Sequence, residues 1–309
     1  MYFIQAHNFK NEWWRYLAVI AIVAFAYFFL GSIPLTVALI WQTIHNGNID
    51  IEAFTKTYDT AALGLEQNTG LIILLTPAVL SFIALLLSMI FLHKRTIGNI
   101  SSAAGHIRWG RLFSSALLWF IMLAGVELFF AYRNPGSYTF TFDPAKFIPL
   151  IFISLLLIPL QAWSEELFFR SYIMQGLGIL FNSRIIPLLI TSVLFGLMHG
   201  MNPEVKVYGF WVMMLFYIGF GLFAGLLVVF DDGIEMACGV HAINNIYGAL
   251  LVSYDSSALK TAALWETEDL NPLSMTIAFG ITAILFIIIM SRLYKWDNLT
   301  RLFKPVVQT

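Results

Sequence analysis

Charged residues are scarce in this chain, because Asp, Glu, Lys and Arg together make up only 11% of its 309 residues. A soluble domain carries roughly 25% charged residues, so this chain cannot cover itself with a water-solvated surface. Its hydrophobic share of 59% indicates that lipid is the surrounding solvent. Nucleic-acid binding depends on dense basic charge, and a formal net charge of -1 gives it no support.

Cysteine is nearly absent, since Cys238 is the only one in the sequence. A single thiol excludes an internal disulfide and falls short of a cysteine-based zinc site. The first apolar run, from Trp14 to Ile44, is longer than the roughly 7 to 15 residues of a signal-peptide core. No small-residue cleavage site follows it, so we expect a retained membrane span.

Long apolar runs are what the sequence does contain. About twenty apolar residues cross a bilayer core, and on that measure the sequence predicts an all-α fold, a polytopic transmembrane helical bundle of about eight spans. The spans are residues 15–44, 70–92, 112–132, 147–181, 185–200, 207–230, 233–253 and 273–294. They form one predicted membrane domain over residues 1–309. The fourth span is too long for a perpendicular crossing, so it should tilt, kink or project into water.

Lysine and arginine are distributed unevenly between the two sides of such a bundle. With eight spans and a cytoplasmic N-terminus, eleven of these residues lie in cytoplasmic segments and five in external ones. An excess of basic residues marks the cytoplasmic side of a membrane protein. We therefore expect both termini in the cytoplasm and the protein in the plasma (inner) membrane.

Three of the predicted spans contain polar groups that are costly to bury. An ionisable side chain at the centre of a membrane helix costs about 3 kcal/mol on insertion scales, so each one is a candidate functional residue. The candidates are Glu165, Glu166 and Arg170 in the fourth span, His199 at the end of the fifth, and His241 and Asn245 in the seventh.

Helix geometry separates these candidates into groups. Glu166 and Arg170 are four residues apart with the acid first, the favourable order for an ion pair on one helix face, so we expect them to support packing. Glu165 points about 100° away from Glu166 and remains free to handle protons. His241 and Asn245 are also four apart and should project from one face into one place.

A carboxylate, two imidazoles and an amide that converge in a low-dielectric site suit hydrolysis of a peptide bond. Glu165 would act as general base while His199 orients or shares the attacking water. His241 and Asn245 would donate hydrogen bonds to the developing oxyanion. Alternatively, Glu165, His199 and His241 would ligate a divalent metal such as Zn²⁺, because one carboxylate, two histidines and a water describe a catalytic zinc site.

Three motifs carry a family resemblance: Glu-Glu-x-x-x-Arg at 165–170, Phe-x-x-x-His at 195–199 and His-x-x-x-Asn at 241–245. In this order on successive late helices, they resemble the CPBP family of intramembrane proteases, which includes the CAAX prenyl endopeptidase and bacterial abortive-infection proteins. The resemblance covers about residues 147–253, the expected protease core.

The resemblance implies an eight-helix endopeptidase that acts on a membrane-associated protein or peptide at a site open toward the cytoplasm. Glu165 would be the activating carboxylate, with His199 beside it and His241 and Asn245 completing the site. Family members are commonly called metalloproteases, although a metal-free glutamate mechanism is also argued, and both routes stay open here.

Two functions of other classes compete with this interpretation. A proton-coupled transporter also buries Glu, His and Arg, but it predicts two related halves with broken helices in corresponding positions, and the sequence shows no such repeat. A non-catalytic membrane immunity or scaffold protein would keep the fold, although the intact motif set argues against it. The signatures of site-2, aspartyl and serine proteases are absent.

Overall fold

Helices make up most of the chain in the computed structural model, which describes residues 2–5, 8–45, 47, 49–267, 271–296 and 299–307. In chain order the helices are α1 (Tyr2–Gln5), α2 (Trp13–Ala24), α3 (Ile33–His45), α4 (Ile51–Thr57), α5 (Gln67–Phe91), α6 (Ile97–Ser101), α7 (Trp109–Arg133), α8 (Pro144–Glu166), α9 (Met174–Phe181), α10 (Ile185–Met198), α11 (Pro203–Tyr208), α12 (Phe210–Asp231), α13 (Glu235–Leu250) and α14 (Pro272–Leu293). Short 3-10 helices cover Thr60–Leu63 and Leu299–Phe303, and π-helical segments cover Phe25–Leu30 and Leu167–Ile173. The predicted all-α class is confirmed.

Six helical stretches in the described residues are long and apolar enough to cross a bilayer. They are Trp13–His45, Gln67–Phe91, Trp109–Arg133, Pro144–Phe181, Phe210–Asp231 and Pro272–Leu293. The other two predicted spans are shorter, because α10 has 14 residues and α13 has 16. A polytopic bundle is therefore confirmed, whereas the count of eight spans is not.

The long fourth span is continuous, because α8 passes through the π-helical segment Leu167–Ile173 directly into α9. A π-helical turn contains an extra residue, is rare, and occurs frequently at functional sites. Here it starts immediately after Glu166, and both Phe169 and Arg170 within it are buried. The π-helical segment therefore begins directly after Glu165 and Glu166, the two candidate acids.

The site region forms where α8 packs between α5 and α13, and where α10 packs against α12. The close approach of α10 to α12 requires glycine at position 221, since a Cβ there would lie 3.0 Å from Ser192 Cα. A Cβ at Gly219 would meet only Phe279, at 3.7 Å, which is an ordinary contact. Small residues allow helix backbones to approach each other in membranes. Of these two glycines, only Gly221 lies at such a close approach.

An aromatic cluster closes the bundle between α7, α12 and α14. The ring of Trp119 lies 5.1 Å from that of Phe223 and 5.5 Å from that of Phe286. In a bilayer such contacts stabilise through close packing, because lipid tails are as apolar as the side chains. The cluster holds Trp119 fully buried beside α13.

A small sheet, which the sequence did not predict, covers one end of the bundle. Its strands are β1 (Tyr138–Phe140), β2 (Val252–Ser253) and β3 (Trp265–Thr267), in the order β1-β3-β2, with β1 antiparallel and β2 parallel to β3. The hydroxyl of Tyr138 donates to the carboxylate of Glu127 in α7. This contact gives Glu127, an acid within a span, a local partner on the sheet.

Glu204 in α11, the short helix that follows His199, binds the loop between β2 and β3. Its Oε1 accepts a hydrogen bond from the Ala258 amide at 2.9 Å and from the Tyr254 hydroxyl at 3.3 Å. Burial raises the pKa of the Glu204 carboxyl, and these hydrogen bonds offset only part of that effect. Burial therefore favours the protonated carboxyl of Glu204, while the hydrogen bonds that it accepts favour the carboxylate.

Candidate active site

Glu165 lies at the C-terminal end of α8 with its two carboxylate oxygens in different environments. Oε1 accepts a hydrogen bond of 2.5 Å from Nε2 of Gln161, one turn earlier on the helix. Oε2 is buried and has no hydrogen-bond partner among the described residues. It faces two imidazole nitrogens, Nε2 of His199 at 3.8 Å and Nε2 of His241 at 3.9 Å.

His199 follows the last residue of α10 and is held from two directions. Its Nδ1 lies 2.8 Å from the carbonyl oxygen of Phe195, and a carbonyl can only accept, so Nδ1 carries the hydrogen. The neutral ring then presents a lone pair at Nε2 toward Glu165. The ring of Tyr217 stacks on the imidazole with centroids 4.6 Å apart, which fixes its plane.

His241 in α13 is oriented by the second acid of the pair. Its Nδ1 donates to Oε1 of Glu166 at 2.8 Å, so its Nε2 also points toward Glu165. The other oxygen of Glu166 lies 3.3 Å from Nε of Arg170, and both of these side chains are 0% exposed. The predicted ion pair between positions 166 and 170 is thus present, and it also positions an imidazole.

Asn245 reaches the site through another residue. Its Nδ2 donates to Oε1 of Gln161 at 3.0 Å, and Gln161 in turn donates to Glu165. The structure therefore brings Glu165, His199 and His241 together directly, and places Asn245 one amide further away.

Sequence reasoning missed Gln161 and Trp119 in this region, and it set Asn244 aside because Asn244 points away from the face of His241 and Asn245. Gln161 lies four residues before Glu165 and so on the same helix face, which is a signal that could have found it. Asn244 donates to Asn245, and Trp119 donates to Asn244. The contact between Trp119 and Asn244 has no signal in the sequence, because it crosses from α7 to α13.

The donor atoms of the candidate metal ligands lie farther apart than those of a bound zinc ion. Two ligands of a tetrahedral zinc ion, each about 2.1 Å from the metal, lie roughly 3.4 Å apart, whereas Glu165 Oε2 lies 3.8 and 3.9 Å from the two imidazole nitrogens. Among the described residues, no group of three or more His, Cys, Asp or Glu side chains is arranged to hold a metal ion. The donor chemistry fits zinc, and the side chains would have to move slightly closer together to hold the ion.

The three motifs lie in a segment that matches a known protein family. Residues 146–247 match the family model of the type II CAAX prenyl endopeptidase, Rce1-like. The predicted family resemblance is confirmed. The Rce1-like segment runs from α8 into α13, so it contains every motif residue, while most of the other long apolar helices lie outside it. Together with those helices, the match identifies an integral membrane protein with a protease-like function.

A relative with similar coverage of both chains is found in Bacillus subtilis (strain 168). The uncharacterized protein YyaK is 27% identical over 256 residues, which cover 82% of this chain and 83% of that protein. No solved structure matches the chain. The similarity to YyaK thus extends beyond the Rce1-like segment, and it adds no activity or substrate to the interpretation.

Proposed function

We propose that this protein is an intramembrane endopeptidase that hydrolyses a peptide bond in a membrane-associated protein or peptide. One observation carries the proposal: Oε2 of Glu165 has no hydrogen-bond partner in the described residues and faces Nε2 of both His199 and His241. Each imidazole is already bonded through Nδ1. Glu165 Oε2 and the Nε2 atoms of His199 and His241 therefore point to one place, where a water molecule would be held and activated between Glu165 and His199.

The attacking water would bridge Glu165 and His199 from one side of the gap between them. A separation of 3.8 Å is too long for a direct hydrogen bond, and a polar gap of this size suits a bridging water. The water donates one hydrogen to Oε2 of Glu165 and the other to Nε2 of His199. As its oxygen attacks the carbonyl carbon of the substrate, Glu165 takes the first of these protons as general base.

The remaining steps use His241 and Glu166, which is hydrogen-bonded to it. In its protonated form, His241 donates from Nε2 to the oxyanion, and the carboxylate of Glu166 at Nδ1 stabilises the positive charge on the ring. When the carbon–nitrogen bond breaks, the leaving nitrogen takes the proton from Glu165. The carboxylate is then regenerated, and no step requires a metal.

Cleavage by purified protein in liposomes tests the proposal. Wild-type protein is incubated with peptides anchored by a lipid or an apolar helix, and mass spectrometry identifies new chain ends. We expect His199→Ala to lower the rate by about 10² to 10⁴, the usual contribution of acid–base chemistry. His45→Ala, at an exposed position at the end of α3, is the matched control and should keep full activity. Equal cleavage by both variants would refute the proposal.

Chelation separates the two chemical routes. The metal-free mechanism predicts full activity after treatment with a strong zinc chelator and no stoichiometric metal in the active protein. If chelation abolished cleavage and zinc restored it, the two imidazoles would have to be reassigned as ligands. The assignment of Glu165 to water activation would survive that result, because metal sites also use a general base.

A further inference from the structure

Four hydrogen bonds in series connect Trp119 of the aromatic cluster to Glu165, the candidate general base. We call this series the amide chain. Nε1 of Trp119 donates to Oδ1 of Asn244 at 3.3 Å, and Nδ2 of Asn244 donates to Oδ1 of Asn245 at 3.3 Å. Nδ2 of Asn245 donates to Oε1 of Gln161 at 3.0 Å. Nε2 of Gln161 donates to Oε1 of Glu165 at 2.5 Å. All four bonds run in the same direction, from the indole toward the carboxylate.

The two ends of this amide chain impose that direction. The indole of Trp119 can only donate, and an ionised carboxylate can only accept. Each amide between them offers one donor group and one acceptor oxygen. Turning any amide over would place two donors or two acceptors against each other, so the orientation of Gln161 follows from the groups at both ends.

We infer that the amide chain selects the oxygen of Glu165 that takes the proton during hydrolysis, and that Gln161 and Asn245 are positioning residues. The inference rests on the proposed function. Protonation of Oε1 would weaken the hydrogen bond from Gln161, whereas Oε2 has no such bond to lose. The proton is thereby directed to Oε2, the atom that faces both imidazoles.

This assignment changes the role predicted for Asn245. The sequence alone suggested that its amide contacts the oxyanion of the substrate, but one of its donor hydrogens is used on Gln161. Hydrogen bonds in series strengthen one another in a low-dielectric interior. The chain also starts at a fully buried side chain, Trp119, so its first member cannot move with the substrate.

A double-mutant cycle tests whether Asn245 acts through Gln161. Gln161→Met keeps the length of the side chain and removes its donor, and Asn245→Ala removes the preceding amide. We expect each variant to lower kcat on the order of 10²-fold, the effect of a small misplacement of a reacting group, while KM stays within about twofold. The double variant should fall no further than the more damaged single variant, because residues that act as a unit are not additive.

Independent action gives a different result. If Asn245 contacted the oxyanion directly, the two losses would multiply to on the order of 10⁴-fold, and the inference would be overturned. Ser154→Ala is the matched control, since Ser154 is buried on the same helix and lies outside the amide chain. It should leave kcat unchanged. Trp119→Phe keeps the aromatic packing without the indole donor, and should lower kcat without changing KM.

The same assay distinguishes failure of the inference from failure of the proposed function. Full kcat in Gln161→Met, together with an inactive Glu165→Gln variant, would overturn the amide chain and leave the endopeptidase intact. Wild-type activity in Glu165→Gln would overturn the endopeptidase mechanism and the chain with it. Thermal unfolding of every variant shows whether a loss of kcat comes from misfolding.

Discussion

The adjacent acids Glu165 and Glu166 are expected to respond in opposite ways to the same change, glutamate to glutamine. Glu165 is 16% exposed, accepts one hydrogen bond from Gln161, and has no Lys or Arg partner among the described residues. Glu166 is 0% exposed, accepts from His241, and lies 3.3 Å from Nε of Arg170. The substitution removes one negative charge in each case. Only Glu166→Gln leaves a buried cation, Arg170, without its ion-pair partner.

The magnitudes follow from these surroundings. Breaking a buried ion pair by removing one partner costs about 3 to 5 kcal/mol, so Glu166→Gln should lower the free energy of unfolding by that amount. Glu165→Gln leaves no charge unpaired, and its amide oxygen can still accept from Gln161. Its stability should change by about 1 kcal/mol or less, while loss of the general base lowers kcat by about 10² to 10⁴.

Thermal unfolding and peptide cleavage, measured on the same detergent-purified samples, check both expectations. Glu127→Gln is the control, because Glu127 is also an acid within a span but is bonded by Tyr138 instead. It should retain wild-type kcat. The reasoning is wrong if Glu165→Gln melts as early as Glu166→Gln, or if it cleaves the substrate at the wild-type rate.

Three further predictions concern stability, packing and orientation. Burial raises the pKa of the Glu204 carboxyl, so the folded chain binds this proton more tightly than the unfolded chain. The free energy of unfolding should therefore fall as pH rises from about 4.3, the pKa of an unperturbed glutamate, through the raised pKa of the folded protein. Glu204→Gln should remove that decline from a series of melting temperatures against pH. Gly221→Ala should lower stability by about 1 to 3 kcal/mol through overpacking, whereas Gly219→Ala should not, and equal melting temperatures would contradict the packing argument. Asn134→Cys, at an exposed position after α7, should react with an impermeant maleimide in intact cells and Arg292→Cys only after lysis, whether six or eight helices cross the bilayer; the reverse pattern would overturn the predicted orientation.

The ionisable part of the site was predictable from sequence, because a charged group in an apolar run stands out whatever surrounds it. Glu165, His199 and His241 were found in this way, and the structure places Nε2 of each imidazole within 4 Å of Glu165 Oε2. Gln161 and Asn244 are neutral amides, which cost less to bury and carry no such signal. Their importance depends on which helices meet, and hydropathy along one segment contains no information about that.

The predicted number of eight spans is not confirmed, and the reason is related. Hydropathy measures exposure to lipid, but the first half of α13, from Glu235 to Ala242, is buried in protein along its whole length. A helix shielded from lipid needs neither the length nor the apolar surface of a span. Such a helix can carry His241 and Asn245 at its centre, and a hydropathy measure counts it as one more crossing.

The short length of α10 places non-helical backbone next to the candidate site. Its 14 residues extend about 21 Å at 1.5 Å per residue, less than the hydrocarbon core of about 30 Å. Non-helical backbone at membrane depth is tolerated only where it is buried in protein or lines a water-filled cavity. His199 stands at this end of α10, and its imidazole faces Glu165. A helix that stops short therefore brings a polar turn next to Glu165, the carboxylate that we propose activates water.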